Sequence, residues 1–292
     1  MSNAENEHFV PRFLLKRFKD ADGQLYYLNN QNLNIGHCSL DKACSQKDIY
    51  EIKRDFGNGE EYLMRGDTEN KLSVREKKYS SLCKKIVSVC ENPNNKFALV
   101  LDEKEKEMLF EFIINLHFRN PNRLLDYKNE TCFLLKNNDE FFKEFEILKN
   151  RHPNEIITKL TDGAIEHCIT QAMVLPSEYG NNYFDLYKHI FLSKGSFCFL
   201  KSNNNDFIIS DNTASISKDG YMFVSISPRY AVVVSLNNYF ESKHQQNRLG
   251  FFGSDDELEI AKIIYQESKR YIYGRKKTLE KIKGRIKGEQ IL

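Results

Sequence analysis

With 292 residues, the chain is long enough to bury a real hydrophobic core in one large domain or two modest ones, so no metal or disulfide staple is required. Its 40% hydrophobic and 29% charged residues mark a globular protein and exclude a disordered or fibrous one. No 18 apolar residues run together, and His8, Arg12, Lys16, Arg17 and Lys19 interrupt the first 20 positions. Neither a membrane span nor a secretory signal is therefore expected, which implies a cytoplasmic protein with no membrane partner.

The seven cysteines, at 38, 44, 83, 90, 132, 168 and 198, include no CxxC pair. An odd count without an export signal argues for reduced, mostly buried thiols, and a zinc site would need closer spacing. Net charge is only +2, yet residues 265–292 carry nine Lys or Arg against three Glu. That asymmetry directs the C-terminal segment towards an anionic partner.

In chain order, HFVPRFLLKRF predicts a short helix beginning at Pro11, with Phe13, Leu14 and Phe18 on its apolar face and Asp22-Gly23 as the following turn. Extended stretches 24–28 and 33–38 read as a hairpin, and polar residues 54–68 as a loop. Leu72, Tyr79, Leu82, Ile86 and Val89 recur at helical spacing over 68–90. Asp102 with Glu105 makes a capping box for a helix that ends at Asn120-Pro121. Further helices are expected over 123–149, 154–174 and 182–193.

The period then changes. SFCFLKS and DFIISD read as a hairpin about Asn203-Asn204-Asn205, and with YMFVSIS and YAVVVSL they make a four-stranded antiparallel unit. Ser254 and Glu257 form a second capping box, opening a helix that leads to the basic end. The expected fold is α+β: a predominantly helical middle, an antiparallel sheet from residues 197–236 in the C-terminal half, and a small N-terminal hairpin. One domain should cover residues 1–274, followed by a basic tail over 275–292.

P-loop, GxGxxG, HExxH and GxSxG signatures are all absent, which disfavours nucleotide-driven and zincin chemistry. Three short clusters remain. His8, Arg12 and Lys16 are spaced four apart, so a continuous helix would align them towards phosphates, or else towards solvent beside the Phe stripe. His8, preceding Pro11, can instead stand just outside the helix with its imidazole free to orient a neighbour. In FRNPNR, Arg119 and Arg123 flank a Pro turn as an anion clamp, or simply complement a helix C-terminus. In FIISDNTAS an apolar strand delivers Asp211 and Asn212 to a loop start, a place suited both to catalytic side chains and to ordinary turn chemistry. Glu166-His167-Cys168 point in different directions on a helix and read as structural. Asp48, Glu51 and Lys53 faintly match a metal-dependent nuclease pattern that chance explains as well.

These segments, with SQKDIYEI, ENKLSVREKKYSSL, VSISPRYAVVV and SKRYIYG in the same order, resemble the bacterial family known as "domain of unknown function 4238". The resemblance runs from His8 to Gly274, with Thr213 standing where members tend to have Pro after Asp-Asn. It implies a prokaryotic intracellular protein connected with phage defence, and a DNA glycosylase activity on modified bases of phage DNA. The implied mechanism is nucleotide flipping and cleavage of the base–sugar bond without a metal or nucleotide cofactor. Asp211 would activate water or stabilise the cation, with Asn212 beside it, and His8 would protonate the leaving base. Arg12, Lys16, Arg119 and Arg123, with Lys276 and Lys277 of the tail, would hold the DNA backbone. Two other readings are a non-catalytic nucleic-acid or protein-binding module and a metal-dependent nuclease using Asp48, Glu51 and Lys53.

Overall fold

The structure is a computed structural model, which describes residues 6–55, 59–92, 99–136, 155–177, 182–203, 206–214, 216–217, 220–251 and 254–289. Strand β1 (Asn6–His8) is followed by the short helix α1 (Arg12–Leu15), which tightens into a 3₁₀ turn over Lys16–Phe18. Pro11 stands just before this helix, at φ −55° and ψ 135°, and its fixed ring conformation turns the chain from strand into helix. His8 consequently lies on a strand paired with β4 (Ser45–Lys47) and shares no helical face with Arg12 and Lys16, contrary to the spacing argument.

The N-terminal hairpin is present as β2 (Leu25–Asn29) and β3 (Ile35–Cys38), with Leu28 opposite Ile35. The region read as a loop over 54–68 instead contains a second hairpin, β5 (Ile52–Asp55) against β6 (Glu60–Leu63). Its strands are charged because most of their side chains lie at least partly exposed, so no apolar alternation marks them.

The helical middle comprises α2 (Asp67–Glu91), α3 (Glu103–Phe118), α4 (Pro121–Lys136), α5 (Glu155–Val174) and α6 (Tyr183–Lys194). Helix α3 starts with the expected capping box: the Asp102 side chain accepts from the Glu105 N–H and Glu105 accepts from the Asp102 N–H. From Leu109 onward α3 is buried almost all round, with Phe110 set edge-on against Phe191 and Phe197 at 5.6 and 5.5 Å. Burying a side chain of that kind contributes roughly 1.5–3 kcal/mol, which makes α3 the central pillar of the main core. The part of the helix expected over 137–149 lies outside the described residues, as do the side chains of the Ser254 capping box.

The C-terminal half is antiparallel apart from one strand pair, but its pairing differs from the expected meander. Strand β7 (Ser196–Lys201) pairs with β10 (Tyr230–Ser235), which pairs with β9 (Tyr221–Ser227), and β11 (Leu249–Phe251) joins β7 in parallel. Strand β8 (Ile209–Ser210) leaves this sheet, so the expected hairpin between 196–202 and 206–211 does not form. It pairs instead with β12 (Tyr271–Gly274), and β12 pairs with β2, giving a second sheet in the order β3-β2-β12-β8. The two sheets thus diverge just before Asp211. This is an α+β fold with several antiparallel sheets.

A short helix, α7 (Tyr239–Ser242), then α8 (Ser254–Glu267) and α9 (Lys276–Glu289) complete the chain. Helix α9 occupies the segment expected as a basic tail, and it is built into the body. Leu279 and Ile282 are buried with Leu28, Ile208, Ala261, Ile264 and Ile272, so both last helices cover the second sheet. Leu279, Ile282 and Ile286, spaced three and four apart, form the apolar stripe that the high lysine content obscures. Cys38, Cys44, Cys83, Cys90, Cys168 and Cys198 carry free thiols, Cys168 exposed. Among the described residues, no helix is long and apolar enough to cross a membrane.

Candidate functional site

Two sequence clusters, FRNPNR and FIISDNTAS, meet at the corner between α3 and α4, and the His8 carbonyl reaches it. Asn120 caps α4, its Oδ1 accepting from the Asn122 and Arg123 N–H groups, with Pro121 as first helical residue. The Asn120 Nδ2 donates to the Asp211 carbonyl at 3.3 Å and to Asn212 Oδ1 at 3.2 Å. Arg123 donates to Asn212 Oδ1 at 2.8 Å and to the Ala214 carbonyl at 3.2 Å. The turn after β8 is therefore tied to the corner by four bonds.

Arg119 cannot clamp a phosphate, since it is wholly buried and fully committed. Its Nε donates to Tyr50 Oη at 3.0 Å, one guanidinium nitrogen meets Glu76 at 2.6 Å, and the other donates to the His8 carbonyl. Burial opposes its charge, but Tyr50, Glu76 and Glu69 outweigh that cost and raise its pKa. Arg119 is a strut between β1, α2 and α3, and removing it would leave buried acceptors and Glu76 unpaired. Arg123 is partly buried, and burial lowers its pKa while Tyr127 and Glu267 oppose the shift.

The position of Asp211 follows from the divergence of the sheets. Its carboxylate accepts main-chain N–H bonds from Lys269, Arg270 and Tyr271 at 2.9, 2.8 and 3.0 Å. It thereby holds the turn between α8 and β12. Burial raises its pKa, against the pull of those three donors. This hydrogen bonding gives Asp211 an architectural task and leaves little of the carboxylate for water activation. His8 connects to the same corner through its carbonyl, but its ring Nδ1 faces the Ala43 carbonyl at 3.1 Å. Burial, then Arg12 and Arg119, lower its pKa.

A mostly apolar cavity of about 520 Å³ opens beside the Asp211 turn. Ser210, Asn212 and Thr213 border it, Tyr221, Phe223, Tyr239 and Phe240 supply aromatic walls, and Ile263, Ile264 and Glu267 of α8 close one side. Of the residues expected to be catalytic, Asn212 lines this cavity, whereas His8 and the Asp211 side chain do not. The cavity forms where β8 departs from β9, with Phe223 and Ile260 shared between the two apolar clusters that flank it.

Glu267 is the acidic residue that the sequence reading missed. An acid at the last position of a helix opposes the macrodipole, and that local mismatch was the available signal. Of the remaining residues expected to contact DNA, Arg12 is exposed and paired with Asp41 at 2.7 Å, and Lys16 is exposed. Lys276 and Lys277 are exposed at the start of α9, where the Lys276 N–H donates to Asp20 at 2.9 Å. They lie on α9, and Arg12 and Lys16 on α1 and the turn after it, so these exposed basic residues sit on elements other than the α3–α4 corner.

The other motifs close on themselves. Asp48 is engaged by Lys53 at 2.7 Å and by the Tyr62 hydroxyl, while Glu51 accepts from the Gly66 N–H at 2.8 Å. Glu166 pairs with Arg54 and Lys128, His167 faces Asp67, and Cys168 is exposed, so these three neighbours do diverge. Among the described residues, no three His, Cys, Asp or Glu side chains are grouped to hold a metal ion.

No curated protein and no solved structure matches the chain. A model of the family described as "Protein of unknown function (DUF4238)" matches residues 6–278, nearly the whole chain, and the protein therefore belongs to that family.

Proposed function

We propose that the protein is a DNA glycosylase-like hydrolase that accepts an extruded modified base in the cavity beside the Asp211 turn and cleaves its bond to the sugar. Acting in the cytoplasm on modified phage DNA, it would serve anti-phage defence, as its family resemblance suggests. The observation that carries the reading is a juxtaposition. Helix α8, which walls the cavity, packs against the lysine-rich helix α9. A cavity of this size falls within the roughly 300–1,000 Å³ usual for small-molecule sites. Tyr221, Phe223 and Tyr239 provide the faces on which a flipped base stacks, and the Gln266 amide in the lining can read its edge. Helix α9, packed against α8, offers exposed lysines to the phosphate backbone.

The nuclease reading gains no support from Asp48 and Glu51, whose oxygens are bonded to Lys53 and Tyr62 and to the Gly66 N–H. A binding module that holds a base without releasing it uses the same cavity, and product analysis separates the two. The full-length protein is incubated with phage DNA carrying modified bases and with unmodified DNA, each with and without chelator. Abasic sites on the modified DNA alone, unaffected by chelator, are the expected result. Binding without abasic sites refutes the glycosylase reading in favour of a module, and strand cleavage lost with chelator refutes it in favour of a nuclease.

A further inference from the structure

We propose that Glu267 is the carboxylate that activates water in this cavity, an assignment that rests on the glycosylase reading above. Glu267 is the acidic residue among the described residues that line the cavity. The other polar lining groups are largely spent on the main chain. Thr213 donates to the Ser210 carbonyl, Ser225 to the Ile208 carbonyl, and the Ser210 and Ser217 hydroxyls accept from the Asn212 and Tyr221 N–H groups. Asp211, one residue outside the lining, is held by three main-chain donors.

The main chain at Glu267 is also fixed. Its carbonyl accepts from Asn212 Nδ2 at 2.6 Å, and Asn212 Oδ1 in turn accepts from Arg123 and Asn120. The α3–α4 corner, the Asp211 turn and the end of α8 are thus joined through one amide. Helix stability does not explain an acid here, because the C-terminal end of a helix disfavours negative charge. Arg123 lies within electrostatic reach: Glu267 is among the groups that oppose the lowering of the Arg123 pKa by burial.

In the reaction, the Glu267 carboxylate takes a proton from water as the water oxygen bonds to the anomeric carbon. The bond from that carbon to the base nitrogen breaks, and its electron pair leaves with the base. The proton taken by Glu267 passes to that nitrogen, so the products are the free base and an abasic sugar, with water as the only co-reactant. The Asn212 bond to the Glu267 main chain makes Asn212 a positioning residue for this step.

The test uses the full-length protein and phage DNA carrying modified bases, with abasic sites counted by an aldehyde-reactive probe and DNA binding measured in parallel. Glu267→Gln should lower the rate by roughly a hundredfold or more, as for loss of a positioned general base, while binding stays within about twofold. The acid limb of the pH–rate profile should vanish with it. Glu267→Asp, which keeps the charge one methylene back, should retain a measurable rate and that limb. A Glu267→Gln protein that forms abasic sites at the wild-type rate overturns the assignment and leaves the glycosylase reading standing. Absence of abasic sites with the wild-type protein overturns both. Should Glu267→Gln fail to fold, Glu267→Asp decides: an undiminished rate with an unshifted pH profile overturns the assignment.

Discussion

Replacing Asp211 by Asn separates architecture from chemistry at the position where the sequence reading placed the catalyst. The carboxylate receives three main-chain N–H bonds, one on Oδ1 from Lys269 and two on Oδ2 from Arg270 and Tyr271. An amide offers one acceptor oxygen, so its best orientation keeps the pair from Arg270 and Tyr271. Its NH₂ group is then aimed at the Lys269 N–H. One partly buried donor left without its acceptor costs about 1–3 kcal/mol, and two charge-assisted bonds made neutral cost about 0.5–1 kcal/mol each. The expected loss is about 2–5 kcal/mol, which for a chain of this length lowers Tm by roughly 4–10 °C. Thermal unfolding followed by circular dichroism measures this, alongside turnover per folded molecule at a temperature where the variant stays native. Turnover should fall far less than a hundredfold. A variant with unchanged Tm and turnover reduced a hundredfold would refute the architectural assignment and restore Asp211 to the chemistry.

Glu7 gives a pH prediction. It is buried on β1, accepts the Tyr50 N–H at 2.8 Å, and faces Glu51 and Glu69, and burial first, with Glu51 bonded beside it, pushes its carboxyl up to about 8. The folded state therefore holds a proton that the unfolded chain releases near its ordinary value of 4.5, so stability falls as pH rises between these values. Glu7→Gln should flatten Tm against pH across that window and raise Tm at its upper end; an unchanged slope would refute the raised Glu7 carboxyl. Leu279→Ala should cost about 2–5 kcal/mol in chemical denaturation, since Leu279 is fully buried under α9; a change below about 0.5 kcal/mol would mean that the segment is a detached tail after all. Neutralising Lys276, Lys277, Lys281 and Lys283 together should weaken DNA binding without sequence preference and flatten its log–log salt dependence by about 0.9 for each phosphate no longer neutralised. An unaltered salt slope would remove α9 from the DNA surface.

The chain's local patterns marked helices α1 to α6 and α8 and strands β2, β3, β7, β8, β9 and β10, half of the twelve strands among the described residues. The Asp102–Glu105 box, the apolar spacing over α2, the Asn120-Pro121 stop and the N-terminal hairpin are encoded within a few residues of where they act. Helix α9 was hidden by composition, because a 14-residue helix buries a narrow stripe and shows lysine elsewhere. The β5–β6 hairpin was missed because partly exposed strands carry no alternation. Tertiary structure alone decided which strands pair. FIISD reads as the partner of SFCFLKS next to it, yet β8 joins a strand some 60 residues onward, through contacts that no local pattern registers. The candidate site depends on that choice. Once β8 diverges from β9, the Asp211 carboxylate falls within reach of three N–H groups at 269–271 and is consumed by them. The cavity opens in the gap and Glu267 comes to line it. The sequence alone determined that an acid and an amide would stand at the end of an apolar strand. Which acid lines the cavity is set by long-range pairing, because a carboxylate's chemistry depends on whether the fold supplies donors to saturate it.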